Sequence, residues 1–241
     1  MSNLKNMLKW EFTLLYRYKI IHISILSVVL YFIITQAVPD MNSKIFHTLL
    51  LFFDPALIGI MFVGALVLFE KSENVLQALV ITPMKTEEYL LSKMISLTIL
   101  SIISATIFII LLNVFGEVSI TLRGILYLSL SIILTSIMLI LLGFILVSRV
   151  KSVNEYLMGF AVAFLGLTFF PMLHLSGLYV NDIFYLWPTQ ASFILFKGIF
   201  GTNGLQLWEI GYGIGYQLFW IVILFILAKK AFYKHIVLKG G

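Results

Sequence analysis

The stretch ILSIISATIFIILL (residues 99–112) decides the class of fold, because it is uncharged and apolar on every face. A strand of a membrane barrel alternates apolar and polar side chains over about ten residues, and this stretch does not. It sits inside the longer apolar run 94–115, which as a helix is long enough to cross a hydrocarbon core of about 30 Å. The stretch therefore predicts a membrane-spanning helix.

Apolar runs of similar length lie on both sides of this segment. The 241-residue chain is 61% hydrophobic with a mean hydropathy of +1.07, whereas soluble domains are about 45–50% apolar. We therefore expect an all-α integral membrane protein with an N-terminal amphipathic helix (1–19) and a transmembrane domain (20–241). The six predicted transmembrane helices are residues 20–38, 45–69, 94–115, 125–147, 157–173 and 205–227.

The basic residues are distributed unequally between the two ends of this bundle. Thirteen of the sixteen lie on the side that carries both termini, and the other side holds Lys44, Arg123 and Lys197. Excess Lys and Arg mark cytoplasmic loops, so we expect a multi-pass protein of the cell membrane with both termini in the cytoplasm. The net charge of +5 suits anionic inner-leaflet lipid and requires no nucleic-acid partner.

The segment before the first span is too charged to cross a membrane. Apolar residues recur in it at helical spacing, and Trp10 and Phe12 would be costly to expose to water. This pattern favours an amphipathic helix lying in the membrane interface. A disordered basic tail is the alternative.

A polar insert, EKSENVLQALVITPMKTEEYLLSK (residues 70–93), separates the second and third spans and carries seven charges. Ser72 is the predicted N-cap of a short helix, and Pro83 ends it, since a residue before proline disfavours the helical conformation. The apolar face of this helix consists of Val75, Leu76, Leu79 and Val80. Such a helix suits either the groove of a partner protein or the lipid surface, and the pattern alone does not choose between them.

The second predicted span contains Asp54 followed by Pro55, a pair typical of a helix start. A helix beginning there would be too short to cross, so we expect a break or kink at this point. An acidic side chain at membrane depth is also a candidate functional group, which makes Asp54 a possible translocation site. The simpler interpretation is a cap that binds its own backbone N–H groups.

Small and hydroxylated residues suggest where helices pack. Gly159, Ala163 and Gly166 share one face of the fifth span, and Gly211 and Gly215 form a pair in the sixth. We predict helix packing for both sets, with subunit contact as an alternative. The hydroxyls of the third and fourth spans either line a path for cargo or bind the preceding helical turn.

An aromatic segment (175–204) precedes the last span on the side opposite the termini. Pro188 can open a helix there that Gly201 closes. About 12 residues rise only about 18 Å, so this piece cannot cross the membrane. We expect an extracellular interfacial or re-entrant helix with Trp187 at headgroup level.

Catalytic motifs are missing from the sequence. The four histidines lie in four different regions without metal-ligand spacing, and no phosphate-binding GxxxxGK[ST] loop occurs. We therefore predict no catalytic residue, no metal and no cofactor in this chain. If cargo moves at the expense of nucleotide, another polypeptide must bind ATP and Mg²⁺.

The insert resembles the permease subunits of type-two ABC exporters. In that family a Glu ends the second span, a Gly-Thr-Leu step and a Thr-Pro follow, and Gly-Lys opens the third span. Glu70, Leu76, Leu79, Thr82-Pro83 and Lys93 match in register, while Asn74-Val75 replaces Gly-Thr and Ser92 replaces the Gly before Lys93. Together with DPALIGIMFVGALVLFE (residues 54–70), the insert is similar to the fluoroquinolone-export branch.

This resemblance implies an exporter of amphipathic or hydrophobic compounds, built from two permease chains and two cytoplasmic ABC ATPase subunits. The permease partner would make a homodimer or a heterodimer. Residues 72–81 would form the coupling helix seated on the ATPase, and Glu70 and Lys93 would hold its ends by pairing with each other or with the N-terminal helix. Interface snorkelling of these two side chains is the alternative. A non-transporting partner, sensor or immunity protein and a secondary carrier remain alternative functions.

Overall fold

The computed structural model describes residues 2–37, 44–76, 86–115, 121–200 and 204–234. Within these ranges the chain is helical and contains no strand, as the apolar runs predict. The elements in order are α1 (Ser2–Arg17), α2 (Ile20–Ala37), α3 (Lys44–Ala56), a π-helical turn (Leu57–Phe62), α4 (Val63–Ser72), α5 (Thr86–Val114), α6 (Leu122–Val147), α7 (Val153–Ser176), a 3₁₀ turn (Asp182–Leu186), α8 (Gln190–Lys197) and α9 (Leu207–Phe232).

Six helical segments of the described ranges are long and apolar enough to cross a membrane, which confirms the predicted number. The second of them is continuous from Lys44 to Ser72, and 78% of its most apolar 18-residue stretch is buried. In the fifth and sixth spans the corresponding share is only 17%. The second, third and fourth spans therefore form the core. The helices α2, α7 and α9 lie at the periphery and present apolar side chains outward, as lipid contact requires.

Helix α6 occupies the centre of the bundle, where four consecutive residues, Met138 to Leu141, are fully buried. Two glycines allow α6 and the π-helical turn to approach closely. A Cβ at Gly59 would lie 3.1 Å from the Leu139 Cβ, and one at Gly143 would lie 3.1 Å from the Ile60 Cα. Protein interiors leave no room for such additions, so these glycines set the distance between the two spans.

The structure contradicts the predicted break at Asp54 and Pro55, while a kink there stays a prediction. Both residues lie inside α3, and the helical path continues into the π-helical turn. The backbone stays helical because hydrocarbon offers no water to bond free N–H and C=O groups, so a broken span would leave several of them unsatisfied. The local irregularity is the wider π turn, whose Ile60 carbonyl accepts a hydrogen bond from the Tyr156 hydroxyl.

The predicted packing glycines do not mediate contacts within the chain. A Cβ at Gly159, Gly166, Gly211 or Gly215 would meet no atom within 4 Å, and Ala163 on the same face of α7 is half-buried. The prediction of packing within the chain is wrong because α7 and α9 lie at the periphery, and these small-residue faces meet no helix of the described part of the chain; subunit contact stays a prediction. Gly64 of α4 is a closely packed position instead, where a Cβ would overlap the Tyr156 ring.

Replacement of Gly64 by alanine is expected to destabilise the fold by about 1–3 kcal/mol, the usual cost of overpacking a core. The added methyl group displaces Tyr156 and breaks its hydrogen bond to the Ile60 carbonyl. The matched control is Gly159→Ala, which adds the same methyl group in open space. Thermal unfolding in detergent measures both, and equal midpoints for the two variants would contradict this packing.

Most hydroxyls of the third and fourth spans bond to their own helices. The side chains of Ser101, Thr106, Ser129 and Ser131 donate to carbonyls three or four residues earlier. Thr135 instead contacts Gln217 of α9 at 3.4 Å. For these residues the structure favours local bonding and helix contact over the lining of a path.

A proline in α7 explains how the aromatic segment attaches to the bundle. Pro171 has no N–H to bond the Leu167 carbonyl four residues earlier, and the Thr189 hydroxyl donates to that carbonyl instead. Trp187 donates to the neighbouring carbonyl of Gly166 at 2.9 Å. The segment therefore satisfies the Leu167 carbonyl that the proline leaves open and adds a second contact to the neighbouring turn.

The structure confirms a helix at the predicted place in this segment, but the helix is shorter than predicted. Helix α8 ends at Lys197 with Gly198 as its C-cap, so the predicted end at Gly201 is wrong, and Gly201 itself lies outside the described residues. Phe193 of α8 stacks on Phe52 of α3 with ring centroids 4.3 Å apart. The helix is thus packed inside this end of the bundle, while a re-entrant path through lipid stays a prediction.

The N-terminal segment is helical, so the alternative of a disordered tail is wrong. Helix α1 packs mainly on α5 and α2 and buries Leu14 and Leu15. Phe12 and Tyr16 remain exposed one turn apart on a second side, and Trp10 is exposed on the opposite flank of the buried side. An apolar side left uncovered on a basic helix is what an interfacial position requires.

Candidate functional site

Four buried polar side chains from three helices meet at the end of the bundle that carries α1. The Lys93 Nζ of α5 lies 2.5 Å from the Glu70 Oε1 of α4, and 2.9 and 3.0 Å from the two carboxylate oxygens of Glu11 in α1. The Tyr89 hydroxyl donates to the Glu70 Oε2 at 2.5 Å. We call Glu11, Glu70, Tyr89 and Lys93 the buried charge cluster.

The buried charge cluster is closed off by aromatic rings from two further helices. Each of its four residues is at most 2% exposed. The Lys93 Nζ lies 5.0 Å from the centroid of the Tyr89 ring, and that ring contacts Phe144 of α6 and Phe232 of α9. Three helices therefore supply the polar groups, and two more pack aromatic rings against them.

The hydrogen-bond inventory of the cluster is complete. The ammonium group of Lys93 has three donors and faces three carboxylate oxygens, while the fourth oxygen accepts from Tyr89. Such a network is tolerable in a low-dielectric interior only when every member is satisfied. Its geometry demands that α1, α4 and α5 keep a fixed relative position.

One lysine cannot fully neutralise two carboxylates. Burial raises the pKa of Glu11 to about 7, the nearby charge of Lys93 opposes this rise, and the charge of Glu70 adds to it. At neutral pH, Glu11 is thus poised between its charged and neutral forms. The groups facing it are Lys93, Glu70 and Tyr89.

The docking of α1 is expected to weaken as the pH rises. Docked Glu11 holds its proton up to a pKa of about 7, whereas the ordinary value is 4.5. Between these two pH values the docked state binds more protons than the released state, so the free energy of docking weakens as the pH rises. Docking is therefore strongest below pH 4.5, and above pH 7 it no longer changes with pH. Glu11→Gln, which is neutral throughout, should remove this dependence and dock more firmly than the native chain at pH 8.

Amide hydrogen exchange of α1 in lipid nanodiscs, corrected for the intrinsic effect of pH, measures this docking. Protection of α1 in the native chain should fall between pH 5 and pH 7. A flat or rising profile, or the same slope in Glu11→Gln, would contradict the assignment.

Two further ion pairs surround the cluster at the surface. Lys229 of α9 donates to Glu87 of α5, and Arg17 of α1 lies 3.9 Å from Glu73. All four side chains are at least 40% exposed, and exposed pairs contribute about 0–1 kcal/mol. The buried contacts of Lys93 therefore dominate the attachment of α1.

The structure corrects the predicted start of the coupling segment. Ser72 is the last residue of α4, and its hydroxyl donates to the Phe69 carbonyl, so it is not an N-cap. The helix stops because Asn74 adopts a left-handed conformation with φ 59°, which asparagine tolerates better than most residues. Helical geometry resumes at Val75 and Leu76. Leu79, Val80 and Pro83 lie outside the described residues.

Leu76 was predicted to face a partner protein, but in the structure it packs inside this chain. Its side chain is only 1% exposed and belongs to the core of this chain, whereas Val75 is half-buried. Leu76 therefore anchors the segment to the bundle. A docking surface, if these residues form one, begins with Val75 and continues beyond the described range.

Asp54 lies at a different level of the bundle from the charge cluster. It precedes Glu70 by 16 residues on the same span, a helical rise of about 24 Å. The Asp54 side chain is 3% exposed and bonds to Ser104 of α5, so the interpretation as a cap on its own backbone is wrong. Pro55 is buried beside it. Among the described residues no group of three His, Cys, Asp or Glu side chains is arranged to hold a metal ion.

Sequence reasoning found two of the four cluster residues. It named pairing between Glu70 and Lys93, or with the N-terminal helix, and the structure shows both contacts. It missed Glu11 and Tyr89. Glu11 shares a helix face with Met7, Leu14 and Leu15. An acidic residue within the apolar face of a basic helix could have indicated a buried partner.

Comparison with known proteins assigns this architecture to a family. The model of the fluoroquinolones export permease protein family matches residues 2–240. The chain belongs to that family. The permease is 29% identical over 241 residues to fluoroquinolones export permease proteins from two strains of Mycobacterium tuberculosis, CDC 1551 / Oshkosh and ATCC 25618 / H37Rv. Those alignments cover all of this permease and 99% of each relative. No solved structure matches it.

Proposed function

We propose that this permease is the transmembrane subunit of an ATP-binding-cassette exporter of the type-two class. It moves an amphipathic or hydrophobic compound outward across the cell membrane, and a separate cytoplasmic ATPase supplies the energy. The relatives are named for fluoroquinolones, and we extend that cargo class to this chain. ATP and Mg²⁺ bind to the ATPase, and a second permease chain completes the assembly.

The observation that carries the proposal is the contact between Glu70 and Lys93. These residues stand at the two ends of the polar insert, 23 positions apart, yet their charged atoms touch in a buried site. A displacement of the insert therefore reaches α4 and α5 together, and through Glu11 also α1. Orientation with both termini in the cytoplasm places the insert where an ATPase can bind it, and the excess of basic residues at this end supports that orientation.

Reconstitution with the ATPase tests the function directly. The permease is affinity-purified from its native cell, and a phosphate-loop ATPase is expected to co-purify with it. Proteoliposomes containing both should transport norfloxacin only with hydrolysable ATP, and the permease alone should not. Absence of a bound ATPase would favour the non-transporting alternative, and norfloxacin flux driven by an ion gradient without nucleotide would favour a secondary carrier.

A further inference from the structure

Asp54 is a buried acid in the middle of a membrane span, and the charge cluster does not use it. It lies ten residues from the start of α3, about 15 Å along the helix. Its Oδ2 bonds to the Ser104 hydroxyl, and its Oδ1 has no hydrogen-bond partner in the part of the chain that the structure describes. An ionised carboxylate is expensive at this depth, so its protonation state needs an explanation.

The acceptors around Ser104 favour a proton on Asp54. The Ser104 Oγ contacts both the Asp54 Oδ2 and the Ser101 carbonyl oxygen, the latter at 3.1 Å. A serine hydroxyl has one proton to donate, so it cannot make a full hydrogen bond to both acceptors at once and would have to share that proton in a weaker three-centre contact. Both contacts become hydrogen bonds if the acid of Asp54 donates to the Ser104 Oγ and the hydroxyl donates to Ser101.

The surroundings of Asp54 provide no counter-ion. No salt bridge to it occurs among the described residues, where the charged contacts all lie near α1, α4 and the ends of α5 and α9. Tyr31 of α2 is the titratable neighbour that interacts with it electrostatically, and the Tyr31 hydroxyl also lacks a hydrogen-bond partner within the described ranges. His47, two turns earlier on α3, packs against Phe200.

The unpartnered atoms define what would fit between α2, α3 and α5. The Asp54 Oδ1 and the Tyr31 hydroxyl can both accept a hydrogen bond. The rings of Tyr31 and Phe108 pack edge to face with centroids 6.4 Å apart, and an aromatic ring face attracts cations. An N–H-bearing cation matches all of these features, and α2 is a peripheral helix whose displacement would admit a ligand from the lipid.

We propose that Asp54 exchanges its proton for the ammonium group of a basic cargo molecule. When a protonated secondary amine enters, the carboxylic acid releases its proton to water, and the carboxylate pairs with the ammonium group. When the neutral amine arrives from the lipid, the acid proton moves to the amine nitrogen. That amine has already left its own proton in the water, so the overall exchange again releases one proton for each cation taken from water. The ligand class is thus a lipophilic amine, which deepens the proposed export function by naming the group on the cargo that is recognised.

Binding to the purified permease in nanodiscs tests this site without the ATPase. The probes are norfloxacin, which has a basic piperazine nitrogen, and N-acetylnorfloxacin, in which that nitrogen is not basic. Asp54→Asn keeps a donor toward Ser104 and therefore the fold, but it cannot become an anion. Ser104→Ala keeps the acid and removes its partner. Calorimetry in two buffers of different ionisation enthalpy gives both the affinity and the protons released.

Norfloxacin is expected to bind about tenfold or more weakly to Asp54→Asn, because a charge-assisted contact is lost. N-acetylnorfloxacin should bind equally to the two proteins, and Ser104→Ala should still prefer norfloxacin. At pH 7 the native permease should release one proton per norfloxacin bound, and Asp54→Asn none. A thermal midpoint of Asp54→Asn near the native value shows that the fold is intact.

Equal norfloxacin affinity of the native and Asp54→Asn proteins would overturn the proposal. An equal loss of affinity for norfloxacin and N-acetylnorfloxacin in Asp54→Asn would overturn it as well. Failure of the native permease to bind norfloxacin would overturn it too. The two proposals can fail separately. If Asp54→Asn transports norfloxacin as fast as the native permease in proteoliposomes with ATP, the amine site is wrong but the export function stands.

Discussion

Replacement of Lys93 by methionine is expected to destabilise the permease by about 3–5 kcal/mol, the usual cost of removing one partner from a buried ion pair. Methionine fills similar volume, so the loss comes from the two carboxylates left behind. Without the ammonium group, Glu11 and Glu70 would face each other in a buried site. Helix α1 should then separate from α5. Thermal unfolding and the yield of folded protein in detergent measure the effect.

Lys229→Met is the matched control, since it removes the same charge from the exposed pair with Glu87. It should cost no more than about 1 kcal/mol. The triple variant Glu11→Gln, Glu70→Gln and Lys93→Met removes every formal charge of the cluster and should recover most of the lost stability. If Lys93→Met proved as mild as Lys229→Met, the cluster would not hold these helices together.

Loss of ATP-driven export is the second large effect, and it is expected for Val75→Asp combined with Leu79→Asp. The proposed docking surface is apolar, and carboxylates on it would have to be buried without partners against the ATPase. Leu76 is unsuitable for this test because its side chain is buried in the core of the permease, so a charge there would unfold the segment itself. Norfloxacin transport and ATPase co-purification should both fall to background.

Val153→Asp serves as the control for this double variant. Val153 is an exposed apolar residue at the start of α7 and lies outside the insert, so transport should stay within about twofold of the native rate. The thermal midpoint of the double variant should remain near the native value. Full transport by the folded double variant would remove the assignment of the insert as the coupling segment.

Two acidic residues of the second span, Glu70 and Asp54, show where sequence reasoning works and where it stops. The pairing of Glu70 and Lys93 was predicted from the family resemblance, which places both residues at the ends of the coupling helix. Asp54 and Pro55 were misinterpreted because the pair is a good helix start in water, where a free backbone can bond to solvent. Hydrocarbon removes that option. The Asp54 carboxyl instead forms a hydrogen bond with Ser104 of α5, 50 positions away.

The sequence by itself determined the membrane class, the six spans and the polar insert, because length and hydropathy within one segment control insertion into lipid. Only the tertiary structure decided which glycines are close-packed, that Leu76 is buried, and that Glu11 joins Lys93 across 82 positions. Those features depend on which helix faces meet. In a chain whose helices are apolar on nearly every side, side-chain shape and a few buried polar groups select the partners, and neither is visible along a single helix.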